Sequence, residues 1–524
     1  MVIIGAIFIL YASYAYLLPG ILHCRQIPWG RVLTFLYLSP DALLGIPLTV
    51  AGLIVLAFVF FGRCLFAIGG GQFLSDTALA LLGKYRGGPA KAAIAASALF
   101  GTLSGSASAN VATTGIITIP LMKRVGYKAQ FAAAVEAVAS TGGLIMPPVM
   151  AATAFIIAEF LEIPYAKVAI AAFIPAVLYY IAIFIQVHGE AVKEGLKGLP
   201  PQELPSFGKV MRHGWLFIFP VIVLIYCLFV LYLRPQTSGI YAVGATLLIA
   251  LFRKETRTAL RGMLTILEDT GRALLDVGII CGLAGYVVGV VSLTGLGLSL
   301  SQALVDISGG NVFILLVLAA IGSIILGMGM PITATYIMLA ILIAPALVQL
   351  GIQPLAAHLF ILYFGAMSFV TPPICIAAYV ASSIAGSEPM RTGFLGMRLG
   401  IVAYVVPFVF CYNPALLLRG TVEDIILMIA AVTFGIISIA IAFEGQLFDK
   451  LNVPKRIGFG LCGFLLIVPN LITNGVGLLL GILLLLWEYQ RRRSLKAVKE
   501  PSAMLASEED AKVIKHLPKN NHQG

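Results

Sequence analysis

Apolar residues run along this chain in blocks. Segments near residues 2–18, 42–62, 130–158, 166–187, 215–233, 239–252, 271–293, 357–385, 399–418, 424–443, 457–472 and 475–489 carry almost no charge. Most are long enough to cross a bilayer as helices, and basic or polar links separate them. Two further apolar regions, 92–121 and 312–346, are interrupted by Gly, Pro and hydroxyl residues. The first contains SGSASANVATTGIITIP at 104–120, in which seven of the seventeen residues are Ser, Thr or Asn.

Composition supports a membrane chain. Of 524 residues, 60% are hydrophobic and 11% charged, where soluble domains carry roughly a quarter charged. The pattern predicts an all-α polytopic membrane protein. The seven cysteines form no C-x-x-C pair, so neither a disulfide framework nor a transition-metal site is indicated. No basic residue precedes the first apolar run, Val2 to Leu18, which therefore reads as a retained helix and not as a cleaved leader. The net charge of +11 belongs to cytoplasmic loops, not to a nucleic-acid partner.

The clusters Lys84/Arg86/Lys91, Lys123/Arg124/Lys128, His188–Arg212, Arg253–Arg261, Arg391/Arg398, Lys450–Arg456 and Arg491–Lys499 are expected on the cytoplasmic side. The counts alternate if region 92–121 enters from and returns to the cytoplasm, and region 312–346 does the same from the opposite side. Arg25 and Arg31 break the rule at the outer face.

The two interrupted regions share landmarks. Pro120, Gly126 and Pro147-Pro148 recur as Pro345, Gly351 and Pro372-Pro373, each shifted by 225 positions, and Gly70 and Gly295 obey the same shift. With the copies entering from opposite sides, this predicts an inverted repeat, a signature of secondary transporters whose interrupted helices meet near the midplane. A hairpin turned inside a membrane must satisfy its backbone within protein or against a wet cavity. Gly and Ser at the tips allow close approach and positive φ.

The chemistry follows from those tips. Ser104, Gly105, Ser106, Ser108, Asn110 and Thr113 in the first, with Gly329, Pro331, Thr333 and Thr335 in the second, are candidate substrate-binding residues. The breaks STGGLIMPP (140–148) and MSFVTPP (367–373) free backbone carbonyls, which suit a hard cation such as sodium. Ser140, Thr141, Gly142, Gly143, Gly327, Ser368 and Thr371 are the candidate ion-binding set. Small residues also serve simply to pack membrane helices closely. No Asp, Glu, Lys or Arg occurs from Ile307 to Ser387. Glu136, inside an apolar span, is either a protonatable coupling group or a carboxylate that ties helices together. Asp276 is expected to snorkel or to pair with Arg272.

The stretches RGGPAKAAIAASALFGTLSGSASANVATTGIITIPLMKRVGY, VEAVASTGGLIMPP, LGMGMPITATY and TPPICIAAYVASSIAGSEPMRTGF resemble the large membrane subunit of TRAP (tripartite ATP-independent periplasmic) transporters. More narrowly they resemble the fused 4TM/12TM type that works with TAXI-class binding proteins. The resemblance covers roughly residues 20–415. It implies an elevator mechanism with a mobile transport domain and a scaffold, in the inner membrane. A TAXI-type periplasmic binding protein would deliver an organic acid, a dicarboxylate or similar, and sodium would couple import. Proton coupling through Glu136 is the alternative. Met330 and Ile332 depart from a motif expected nearer to GLPTTA. Since one clear span precedes residue 20, either the start is truncated or a separate small membrane subunit completes the complex.

The implied organisation places N-terminal helices, a remnant of a small-subunit fusion and a first scaffold helix, at 1–62. The first repeat unit spans 63–187, a cytoplasmic loop with connecting helices 188–270, and the second unit 271–419. Extra helices occupy 420–489, and a basic cytoplasmic tail occupies 490–524, a positive-inside anchor with contact to anionic lipid as the alternative. An intramembrane enzyme is disfavoured, because no H-E-x-x-H occurs and the hairpin serines lack a nearby His. An ion channel is the rival from another class, since re-entrant hairpins also build selectivity filters. Replacing Asn110 or Thr335 is expected to weaken uptake without preventing membrane insertion. Normal uptake in both variants would overturn the tip assignment.

Overall fold

The structure, a computed structural model, describes residues 2–252 and 262–491. The basic cluster Arg253–Arg261 and all but Arg491 of the basic cluster in the tail lie outside the described residues. In chain order the helices are α1 (Val2–Tyr14), α2 (Trp29–Leu38), α3 (Ile46–Ala67), α4 (Gly70–Leu82), α5 (Gly88–Ser104), α6 (Ala107–Val125) and α7 (Ala129–Gly142). Then come α8 (Ala152–Phe160), α9 (Tyr165–Lys193), α10 (Pro201–Val230), α11 (Pro235–Phe252), α12 (Met263–Thr294), α13 (Leu296–Ile307), α14 (Val312–Gly327) and α15 (Ile332–Leu342). The last are α16 (Ala344–Gln349), α17 (Pro354–Met367), α18 (Ile376–Ala385), α19 (Pro389–Tyr412), α20 (Val422–Glu444), α21 (Val453–Ile467) and α22 (Leu471–Arg491). Among the described residues there is no strand, only one isolated bridge, Gln446 to Lys450. Eight of these helices, α3, α9–α12, α19, α20 and α22, are long and apolar enough to cross a membrane.

Several expected spans take a different form. The apolar stretch 130–158 is two helices, α7 and α8, separated by a non-helical Gly143–Ala151, and 357–385 divides likewise into α17 and α18. Proline explains both breaks, because it removes an amide donor and clashes with the preceding turn. Pro147-Pro148 and Pro372-Pro373 carry cis peptide bonds, and Met150 and Cys375 just beyond them adopt positive φ. Two short helices, α4 and α13, lie between the apolar blocks, each preceded by a left-handed glycine, Gly69 and Gly295.

The 225-residue shift recurs in the backbone. Helices α7 and α17 are both 14 residues long and begin 225 positions apart, at Ala129 and Pro354. Every residue of α7 from Phe131 to Gly142 is buried, as is every residue of α17 from Leu355 to Met367. A helix apolar on all sides belongs in an interior, and these two form the centre of the molecule. The segments after each break cross over. Helix α18 packs on α6 and α7, while α8 packs on α15. Lys123 donates to the Ala385 carbonyl at the C-terminus of α18, at 2.8 Å, where a cation matches the exposed carbonyls.

Small residues set the spacing. Gly101 on α5 faces Gly143 at the end of α7 so closely that a Cβ on Gly143 would lie 2.5 Å from the Gly101 Cα. At the second site a Cβ on Gly327 would lie 2.6 Å from the Ser368 hydroxyl. Gly143→Val is therefore expected to cost about 1–3 kcal/mol by overpacking. The check is the thermal melt of the purified protein in detergent, where an unchanged midpoint would refute the close contact.

Candidate functional site

Helices α5 and α6 form a hairpin whose turn is Gly105, in left-handed conformation, followed by Ser106, which caps α6 by accepting from the Ala109 amide. Ser and Gly at this point let the chain reverse in two residues. Asn110, one turn further on, is fully buried and donates to the Ser97 carbonyl at 2.8 Å, which ties the arms together. In the second hairpin, Gly329 supplies the positive φ, Pro331 caps α15, and the Thr335 hydroxyl donates back to the Pro331 carbonyl at 3.2 Å.

Against the first tip lies a cavity of about 700 Å³. Ser104, Gly105, Ser106 and Thr113 line it from the hairpin, and Thr333 reaches it from α15. Ser104 Oγ is buried there with no hydrogen-bond partner. Of the substrate-binding candidates, Ser108, Asn110, Gly329, Pro331 and Thr335 do not line the cavity. The opposite wall is built by α3, α4 and α12 and contributes Arg63, Gln72 and Asp276. Phe58, Phe66, Phe100 and Phe155 complete it, with Phe66 stacked on Phe100 and Phe58 on Phe155 at centroid distances of 4.3 and 4.6 Å. Sequence reasoning did not single out Arg63. Its position at the end of an apolar run was the available signal, but only the fold brings it to the hairpin. Asp276 does not pair with Arg272, whose guanidinium binds Glu268 one turn away at 2.7 Å.

The ion-binding candidates surround the helix breaks. Thr141 donates to the Ala137 carbonyl, Gly142 packs against Tyr179 and Tyr180, and Gly143 sits on Gly101. Beyond the end of α7, the carbonyls of Ser140, Thr141 and Gly142 each accept one turn amide at 3.1–3.2 Å. Tyr179 and Tyr180 on α9 donate to the Val138 and Ala139 carbonyls at 2.7 and 2.9 Å. In the second unit Ser368 donates to the Gly365 carbonyl at 2.7 Å, and Thr371 meets both the Met367 carbonyl and the Tyr404 hydroxyl. Tyr179 and Tyr404 are again 225 positions apart, a landmark present in the sequence that the proline and glycine pattern alone did not reveal. Among the described residues no cluster of three His, Cys, Asp or Glu side chains forms.

Glu136 is fully buried behind the hairpin, not in the cavity wall. Ser97 and Thr114 donate to its Oε1 at 2.7 and 2.5 Å, Ser140 to the same oxygen at 3.2 Å, and Thr118 to Oε2 at 2.5 Å. These donors come from α5, α6 and α7, so one carboxyl group fastens both hairpin arms to the interrupted helix. Buried polar groups left without partners are costly. Glu136→Ala is expected to destabilise the protein by about 1–3 kcal/mol for each hydroxyl left unmatched, and Glu136→Gln by less. Thermal melts of the two purified variants compare them directly, and equal midpoints would refute the fastening role.

The sequence profile of the family described as "Tripartite ATP-independent periplasmic transporter, DctM component" matches residues 1–425. The isethionate TRAP transporter permease protein DctMQ of Oleidesulfovibrio alaskensis is 25% identical over 403 residues, 76% of this chain and 61% of that protein. The chain thus spans less than two thirds of that relative's length. The C4-dicarboxylate TRAP transporter large permease protein DctM of Pseudomonas aeruginosa is 25% identical over 391 residues, 73% of this chain and 90% of its own. The sialic acid TRAP transporter permease protein SiaT of Haemophilus influenzae is 25% identical over 343 residues, covering 63% and 52%. With four fifths of its length matched by that profile, the chain is a multi-pass membrane protein, a transporter permease and not an enzyme, and belongs to the DctM component family of tripartite ATP-independent periplasmic transporters.

Proposed function

We propose that this protein is the membrane subunit of a secondary active importer of an organic acid, coupled to a sodium gradient. The observation that carries the proposal is the 700 Å³ cavity set against the hydroxyl-bearing tip of the first hairpin, with an arginine in its opposite wall. Its volume suits a small solute. The relatives named above are titled for isethionate, C4-dicarboxylates and sialic acid, all of them acidic. On the expected topology Arg63 stands near the cytoplasmic end of α3, so the cavity opens inward.

In this mechanism the two units are inverted repeats, their hairpins are re-entrant, and the hairpins with α7 and α17 move as an elevator domain against a scaffold. A periplasmic binding protein of TAXI type delivers the solute. Sodium binds at the breaks, where the turn carbonyls of Ser140–Gly142 each retain a second lone pair. Cation and acid cross together because the paired load carries less uncompensated charge through low dielectric. The four hydroxyl donors around Glu136 favour sodium over a proton shuttled by that carboxyl.

Reconstitution in liposomes with the binding protein tests this. Uptake of radiolabelled organic acids is expected under an inward sodium gradient and not under a proton gradient alone. Proton-driven uptake without sodium would return Glu136 to the coupling role.

A further inference from the structure

The cavity wall facing the hairpin carries charge in an unusual proportion for a receptor of doubly charged acids. Among the lining residues Arg63 is the only cation and Asp276 the only anion, so the formal charge of the lining is zero. Among the described residues neither side chain forms an ion pair or a hydrogen bond, with each other or with any neighbour. Arg63 thus lines the cavity with a guanidinium free to take a carboxylate, which its planar fork of donors fits. The remaining polar groups of the lining are mostly hydroxyls, among them the unpartnered Ser104 Oγ on the hairpin tip.

We propose that Arg63 and Asp276 make this cavity a receptor for a singly charged carboxylate bearing hydroxyl groups, and that they discriminate against the corresponding dicarboxylate. The inference rests on the cavity being the substrate path of the organic-acid importer described above. Arg63 receives the carboxylate. The Ser and Thr side chains exchange hydrogen bonds with the solute's hydroxyls, leaving no buried polar group stranded. Asp276, on α12 of the same wall, accepts from the solute's hydroxyls and repels a second carboxylate. A specificity built on repulsion at one position and attraction at another is a common way to separate near-identical ligands. Neither residue is part of the hairpins or the helix breaks, so selectivity would be divided between the binding protein and the wall of the permease.

D-Gluconate and D-glucarate share a six-carbon hydroxylated skeleton and differ at one end, where glucarate has a second carboxylate. The full chain in lipid nanodiscs, at fixed sodium, is titrated with each acid and binding is followed by the shift in melting temperature. D-Gluconate is expected to saturate at a concentration about tenfold lower than D-glucarate. Arg63→Gln is expected to weaken gluconate about tenfold, with Arg63→Lys between the two. Asp276→Asn is expected to bring glucarate close to gluconate, a gain that a misfolded variant would not produce. Equal binding of both acids by the unaltered protein, or no saturation by either, would overturn the proposal, as would an Asp276→Asn variant that discriminates as before. Failure of the transport reading looks different: gluconate still saturates the cavity, but liposomes with the binding protein accumulate no organic acid under a sodium gradient.

Discussion

A helix interrupted inside a bilayer must find partners for the backbone groups it frees, because lipid offers none. Much of this architecture answers that constraint. The Val138 and Ala139 carbonyls of α7 accept from Tyr179 and Tyr180, and those of Pro148 and Val149 from Tyr165. Around the second break, Ser368 and Thr371 turn their hydroxyls onto carbonyls of their own helix, and Tyr404 joins them. Small residues then let the hairpins approach until backbone touches backbone, as at Gly101 and Gly143. Close packing of this kind excludes lipid from the polar centre, which is what makes a hydroxyl-rich stretch tolerable between apolar spans.

Much of this was legible in the chain. Proline and glycine act locally, through lost donors and permitted dihedrals, so the breaks at Pro147-Pro148 and Pro372-Pro373 and the turn at Gly105 could be read from sequence. The hydroxyl stretch pointed to the first tip, and Ser104, Gly105, Ser106, Thr113 and Thr333 do meet at one cavity. What was not legible depends on contacts between distant segments. Asn110 looked like a ligand, yet the fold spends it on the Ser97 carbonyl. Nothing in the neighbourhood of Arg63 or Asp276 announces that α3 and α12 stand across from residue 104. For Glu136 the sequence left two roles open, and the groups that surround its carboxyl, Ser97 and Thr114 at one oxygen, lie 39 and 22 positions away along the chain.

The alternation of cytoplasmic and outer loops is expected from Lys and Arg for a different reason. Basic side chains resist transfer across the membrane, so their distribution records orientation without reference to packing. It carries no information about which helices are neighbours. That is why the crossing of α8 toward the second unit and of α18 toward the first emerges only from the structure.

The tyrosine contacts have a consequence for movement. Tyr179 and Tyr180 hold α9 to α7 through hydrogen bonds made where no water stands ready to replace them, so separating those helices would be expensive. Among the described residues no hydrogen bond joins α3 or α12 to the first hairpin; α3 meets the hairpin ring on ring, Phe66 on Phe100, and meets α8 the same way, Phe58 on Phe155. Stacked rings can exchange one partner for another without leaving a donor or acceptor stranded. Under the proposed mechanism, hydrogen bonds are expected to mark the parts that travel together, and the stacked rings the contacts that can slide.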